Sequence, residues 1–227
     1  VLFRSRSPSP RRGENELVLR GQAAKKGKNS AIAMALADIQ HTLQRRTLDS
    51  KLAVLGAQHP QTISFMIDIA NCWYEQGLLR EAEPLEYQVV SHRRQTLGES
   101  HADTLNAMYN LAITWKSQGR HTESETLQAQ VYDHRKQALG ISHPETIRCL
   151  LQLAGLWRRR GRWEEAESAQ RRAIQIRGEV FGRDHPDTIE ALSYLGNTFK
   201  AQGRYEEAEA AQLQVLKARV ELLGRQH

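Results

Sequence analysis

The apolar positions between residues 63 and 199 form one stripe written four times. Ile63, Met66, Ile69, Ala70 and Trp73 are spaced as one face of a helix. Leu105, Met108, Leu111, Ala112 and Trp115 repeat that face, as do Ile147, Leu150, Leu153, Ala154 and Trp157, and then Ile189, Leu192, Leu195, Gly196 and Phe199. Each copy lies 42 residues after the last. The same step separates Leu55-Gly56, Leu97-Gly98, Leu139-Gly140, Phe181-Gly182 and Leu223-Gly224. It also separates His59, His101, His143, His185 and His227; Thr62, Thr104, Thr146 and Thr188; and Gly77, Gly119, Gly161 and Gly203. Several residue classes held in one register define an internal repeat.

Each unit reads as two helices. Pro60, Pro144 and Pro186 suit a first helical turn, where a missing N–H costs nothing. Asp103, Glu145 and Asp187 follow, favourably placed at the positive end of the helix dipole. The glycines at 77, 119, 161 and 203 suit a left-handed helix end. A second helix then begins acidic (Glu81 and Glu83, Glu123 and Glu125, Glu165 and Glu167, Glu207 and Glu209) and ends basic (Arg93, Arg94, Arg135, Lys136, Arg177, Lys217, Arg219). That polarity is read as helix stabilisation. Ala70, Ala112, Ala154 and Gly196 are expected to meet Ala82, Ser124, Ala166 and Ala208 where the two helices cross closely. The periodic histidines, one per unit, are read as helix caps rather than metal ligands.

This register predicts repeats over 55–96, 97–138, 139–180 and 181–222, with a truncated fifth beginning at 223–227. Residues 30–54 read as a degenerate half repeat, one helix capped by Asn29 or Ser30 and carrying Ile32, Leu36, Ile39, Leu43, Leu48, Leu52 and Leu55. Residues 1–29 read as a disordered basic tail in which Ser7 or Ser9 suits phosphorylation. The start at Val1 and the stop inside a fifth unit fit a piece of a longer protein.

Composition changes this picture little. The 227 residues are 40% hydrophobic and 26% charged, an ordinary globular balance. No apolar run is long enough to span a membrane. The tail carries eight basic residues against two acidic ones, which accounts for the whole net charge of +6. The body is therefore neutral, and nucleic-acid association is not expected except through the tail. Cys72 and Cys149 occupy different repeat positions, which points to free thiols in a reducing, cytoplasmic setting. Gly21 to Asn29 brushes against a phosphate-binding loop, but its glycine spacing is one residue too long and Asn29 stands where Ser or Thr should hold magnesium. No nucleophile–base set is present, so the expectation is a non-enzyme without cofactor or metal.

The pattern His-Pro-x-Thr … Leu-Ala … Trp … Gln-Gly-Arg-x-x-Glu-Ala-Glu … Leu-Gly, clearest from Phe181 to Glu209, resembles the tetratricopeptide repeats of kinesin light chains and of fungal kinesin-light-chain-like proteins. The resemblance covers residues 55–227. It implies an all-α helical-hairpin solenoid, a right-handed superhelix whose first helices line a concave groove. Carried across by register, the groove positions are Tyr74, Lys116, Arg158 and Lys200; Asp68, Asn110, Gln152 and Tyr194; and Asn71, Ile113, Gly155 and Asn197, with Arg148 and Arg159 adding charge. The expected peptide-binding set is Tyr74, Asn110, Lys116, Arg148, Gln152, Arg158, Arg159, Asn197 and Lys200. Amides suit a peptide backbone and cations suit carboxylates, so the implied partner is an extended acidic protein segment held by a scaffold or adaptor. The family's Asn-Leu-Ala survives only at Asn110-Leu111-Ala112, and Asp68 in the first unit would repel an acidic ligand. Such arrays also resemble the C-terminal sensor region of fungal nucleotide-binding, immune-receptor-like switch proteins, which is the alternative. Apolar ends of an uncapped array leave self-association open.

Overall fold

The computed structural model describes residue 36 and residues 38–224; the expectations for the basic tail and for His227 lie outside the described residues. Among the described residues there are nine helices and no strand, which makes the chain an all-α repeat protein. It divides between Thr62 and Ile63 into two compact units.

In the first unit, helix α1 covers 38–55 and ends at Gly56, whose φ is 85°. The stripe that predicted this helix does not make a buried face. Leu48 is buried, but Leu36, Ile39 and Leu43 are 60%, 56% and 56% exposed. Periodicity predicts the helix, whereas burial needs a covering surface.

The second unit holds α2 (Pro60–Glu75) from Ile63 onward, α3 (Leu79–Leu97), α4 (Ala102–Ser117), α5 (His121–Leu139), α6 (Pro144–Arg159), α7 (Trp163–Val180), α8 (Pro186–Ala201) and α9 (Tyr205–Gly224). From α3 onward each helix packs on the next in sequence, and α6 also touches α8. This is the nearest-neighbour stacking of a solenoid.

Local chemistry sets each boundary. His101, His143 and His185 cap the first helices: each Nδ1 accepts the N–H two residues on, at 3.1–3.2 Å. Those helices end in a Schellman turn. The Arg162 N–H donates to the Trp157 carbonyl at 2.9 Å, the Gly161 N–H donates to the Arg158 carbonyl at 3.2 Å, and Gly161 has a φ of 76°. Arg120 and Trp115, then Arg204 and Phe199, repeat the bond.

The predicted crossings at Ala112/Ser124 and Gly196/Ala208 are present. Ser124 Oγ donates to the Ala112 carbonyl at 2.6 Å. A Cβ on Gly196 would stand 3.4 Å from the Ala211 Cβ and 3.7 Å from the Ala208 carbonyl oxygen. Around these contacts lie Met66, Ile69, Met108, Leu111, Ile147, Leu153 and Leu195, all at most 4% exposed.

Charged clasps join successive hairpins. Glu83 of α3 accepts Trp115 Nε1 at 2.8 Å and Gln118 Nε2 at 2.9 Å, and it pairs with Arg120. Glu125 of α5 accepts Trp157 Nε1 at 2.9 Å and pairs with Arg160 and Arg162. Glu167 of α7 holds Gln202 and Arg204 at 3.3 and 2.6 Å. Each such arginine also lies over the aromatic ring it accompanies, 5.0 Å from the Trp115 centroid, 5.4 Å from Trp157 and 4.5 Å from Phe199. Farther along the second helices, Arg93, Arg135 and Arg177 reach forward to the carbonyls of Asp103, Glu145 and Asp187. The acidic starts and basic ends read as dipole compensation therefore also fasten one repeat to the next.

Two outcomes follow for stability. Space around Gly161 is open, so Gly161→Ala meets only the left-handed backbone penalty and should cost about 1–2 kcal/mol in urea denaturation. Burial raises the Glu125 carboxyl, but hydrogen bonds from Trp157, Arg160 and Arg162 outweigh it and hold the pKa below the ordinary 4.5. A depressed carboxylate stabilises the fold above its unfolded value and loses that contribution as pH falls. Glu125→Gln should therefore flatten the fall in melting temperature below pH 4.5.

Candidate functional site

The residues expected to bind a peptide sit on the first helix of each hairpin, where the 42-residue step repeats their position from α2 to α8. Tyr74, Lys116, Arg158 and Lys200 occupy the last turn of α2, α4, α6 and α8. Tyr74 Oη is 3.2 Å from Ser117 Oγ. Lys116 Nζ donates to Gln152 Oε1 at 2.6 Å, so this cation and this amide bind one another. Burial and the nearby Arg159 guanidinium both push the Lys116 pKa down. Arg158 is half-buried and Lys200 exposed; among the described residues neither side chain has a hydrogen-bond or ion-pair partner. Arg159 and Asn197 are exposed.

Arg148 stands apart from this row. It pairs with Glu145 and lies 4.8 Å from the Tyr109 ring centroid. With Asn110, Asn106 and Arg135 it lines a cavity of about 600 Å³ between α4, α5 and α6. The charge assigned to Arg148 from sequence is thus largely compensated within the fold.

A second cavity, of about 190 Å³, lies between α2, α3 and α4, lined by Ile67, Asn71, Glu86, Arg93, Asn106 and Asn110 among others. Sequence reasoning missed Glu86. It is 6% exposed, and its Oε1 accepts the Thr114 hydroxyl at 3.0 Å. Oε2 is buried with no partner among the described residues. Burial, reinforced by the charge of Glu83, raises the Glu86 pKa to about 7 against the hydrogen bond from Thr114. The repeat itself held the signal: Gln128, Gln170 and Gln212 stand at the same step in α5, α7 and α9.

Tetratricopeptide repeat models match residues 62–103, 104–145 and 150–219, well over half of the chain. The chain belongs to the tetratricopeptide repeat family. Among solved structures, a Podospora anserina kinesin light chain with nearly identical TPR-like repeats is similar, at 22% identity over 93% of this chain and 95% of that one. Its TM-score is 0.70, and a variant of the same protein reaches 0.72. BtubC (BKLC) from P. vanneervenii is similar at 19% identity over 81% and 73% of the two chains, with a TM-score of 0.68. At these identities the likeness is one of fold. No curated protein matches the chain in sequence.

As a tetratricopeptide array, the chain is a protein–protein interaction scaffold, because stacked hairpins present the aligned faces that such repeats use for binding. Among the described residues no group of three His, Cys, Asp or Glu side chains is arranged to hold a metal. No helix there is long and apolar enough to cross a membrane. Among the described residues Cys72 and Cys149 form no disulfide.

Glu86 gives this array a distinctive pH response. Its folded pKa lies above the unfolded 4.5, so the native state keeps a proton that the unfolded chain releases. Stability should therefore fall as pH rises from 4.5 through 7, by ~3 kcal/mol relative to Glu86→Gln, which does not titrate. Denaturation of both proteins across that range reads the difference; parallel curves would remove the raised carboxyl.

Proposed function

We propose that the first-helix face of this tetratricopeptide array captures an extended acidic segment of a partner protein. One observation carries the reading. Arg120, Arg162 and Arg204 are all clasped by glutamates, whereas Arg158 and Lys200, in register with Lys116, are held by no carboxylate among the described residues. Two cations left unpaired on successive first helices of a body with no net charge favour a ligand that brings its own carboxylates.

The roles divide by position. Arg158 and Lys200, supported by Arg159, meet ligand acids. Lys116 joins them by exchanging its bond to Gln152 for one to the ligand. Asn110 and Asn197 offer amides to an extended backbone, and Tyr74 offers an aromatic surface at the first repeat. Arg148, already paired with Glu145, contributes less. The action is that of a scaffold or adaptor and requires no catalysis.

Fluorescence anisotropy with a labelled Asp/Glu-rich peptide carrying one tryptophan tests this on the full chain. Arg158→Glu combined with Lys200→Glu should weaken binding by about tenfold or more, and rising salt should weaken wild-type binding. Arg148→Ala should change it little. Equal affinity of the charge-reversed and wild-type proteins rejects the proposal, with melting curves confirming that both are folded.

A further inference from the structure

The first repeat does not fit a uniformly acidic ligand. Asp68 is exposed on α2 at the position that holds Asn110, Gln152 and Tyr194 in later repeats. Tyr74 replaces a cation at the end of the same helix. Beside this helix lies the 190 Å³ cavity, lined by Asn71 and Asn110 and with Glu86 buried in its wall. A tetratricopeptide array that only bound acids would gain nothing from acidic groups there.

We propose that this cavity receives a primary ammonium side chain of the bound segment, lysine-like, with the Glu86 carboxylate as its counter-charge. Four observations converge. Glu86 Oε2 is a buried acceptor with no partner among the described residues. Asn71 and Asn110, on the same cavity wall, offer further acceptors to an ammonium that carries three donors. The volume corresponds to roughly six waters' share of the liquid, enough for a lysine side chain. The charged residues on the wall are Glu86, Arg93 and Asp103, and the Arg93 guanidinium is already turned to the Asp103 carbonyl at 2.8 Å. Glu83, one turn before Glu86, is occupied by Arg120. Oε2 itself is shielded, so the ligand reaches it through rotation about the soft terminal torsion of Glu86.

The Gln at the equivalent position of the other hairpins provides the comparison. Gln128 and Gln170 are as deeply buried as Glu86, so the site tolerates an amide. A carboxyl adds only the capacity to become an anion. Its ordinary cost in a buried place falls when a cation arrives, and Glu86, poised near neutrality, ionises readily in response.

The inference deepens the acidic-segment reading and rests on it for the ligand's polarity: a basic residue over the first two repeats, acidic residues over the later ones. The cavity itself is tested without that reading. The full chain, labelled in its Asn and Gln amides and Glu carboxyls, is titrated with n-butylammonium chloride and, in parallel, with 1-butanol, and followed by NMR. Saturable shifts of the Asn71 and Asn110 side-chain amides and of the Glu86 carboxyl are expected with the ammonium alone. Glu86→Gln should weaken that binding about tenfold or more while remaining folded, and Arg158→Glu/Lys200→Glu should leave it unchanged. Equal response to butanol, or an unchanged response in Glu86→Gln, overturns the site.

A second measurement extends the acidic peptide at either end by lysine or by norleucine. One lysine extension should bind about tenfold tighter than its norleucine twin, and only where Glu86 is present. If no acidic peptide binds while butylammonium does, the acidic-segment reading has failed and the cavity has not. If the acidic peptides bind but no lysine extension improves on norleucine, the ammonium site in the bound segment is overturned.

Discussion

A glutamate on the second helix of one hairpin, shared between the indole and the arginine of the next, is the contact on which the register of this array depends. Apolar burial alone would let two amphipathic hairpins slide, because dispersion and water exclusion have little direction. Glu83, Glu125 and Glu167 each meet the following Arg, and Glu83 and Glu125 also take a Trp N–H. The carboxylates are largely shielded, so losing either partner would leave a desolvated acceptor unsatisfied. The same arginine spans the turn to Glu123, Glu165 or Glu207. One guanidinium thus fixes both the start of its own second helix and the position of the preceding hairpin.

This economy of charge gives the first-helix face its meaning. An array with 24 basic and 24 acidic residues after residue 29 could hide all its charge in internal pairs. It does so at the clasps and at Arg148, but not at Arg158 or Lys200. Surface cations carry little stability, so their placement is free to serve binding. The aligned step of the solenoid turns three separate helix ends into a row whose spacing follows the hairpins themselves.

The fold was legible because its determinants are local and repeated. His143 marks a helix start by its side-chain cap and Gly161 a helix end by its left-handed backbone, and four copies of the apolar stripe remove the ambiguity of one. The candidate face was legible only as a set of positions. That Lys116 would bind Gln152, or Arg148 would bind Glu145, depends on reach between side chains that spacing does not encode. The reading of acidic helix starts as dipole compensation was incomplete for the same reason: Glu123 sits in the first turn of α5, whereas Glu125 lies just past it and its partners belong to the next hairpin. In α1 the stripe was visible and its burial was not, since Leu36, Ile39 and Leu43 require a surface that their own periodicity does not supply.

Glu86 shows how a repeat exposes its exceptions. At the same position Gln128 and Gln170 are buried as deeply, each with its Oε1 unpartnered among the described residues, whereas Gln212 is exposed; the two buried sites hold a neutral amide of nearly the same shape. Glutamate there forgoes one donor and risks an unpaired charge, a cost a purely structural position has no reason to carry. Its nearest polar contact, Thr114, satisfies one oxygen only. Asp68 and Tyr74 depart from the later repeats on the adjoining helix, so the exception extends over the whole first hairpin. On the proposed reading, an array that distinguishes its first repeat from the others by charge would distinguish the two ends of a segment lying along it, and that would convert a uniform electrostatic attraction into a direction of binding.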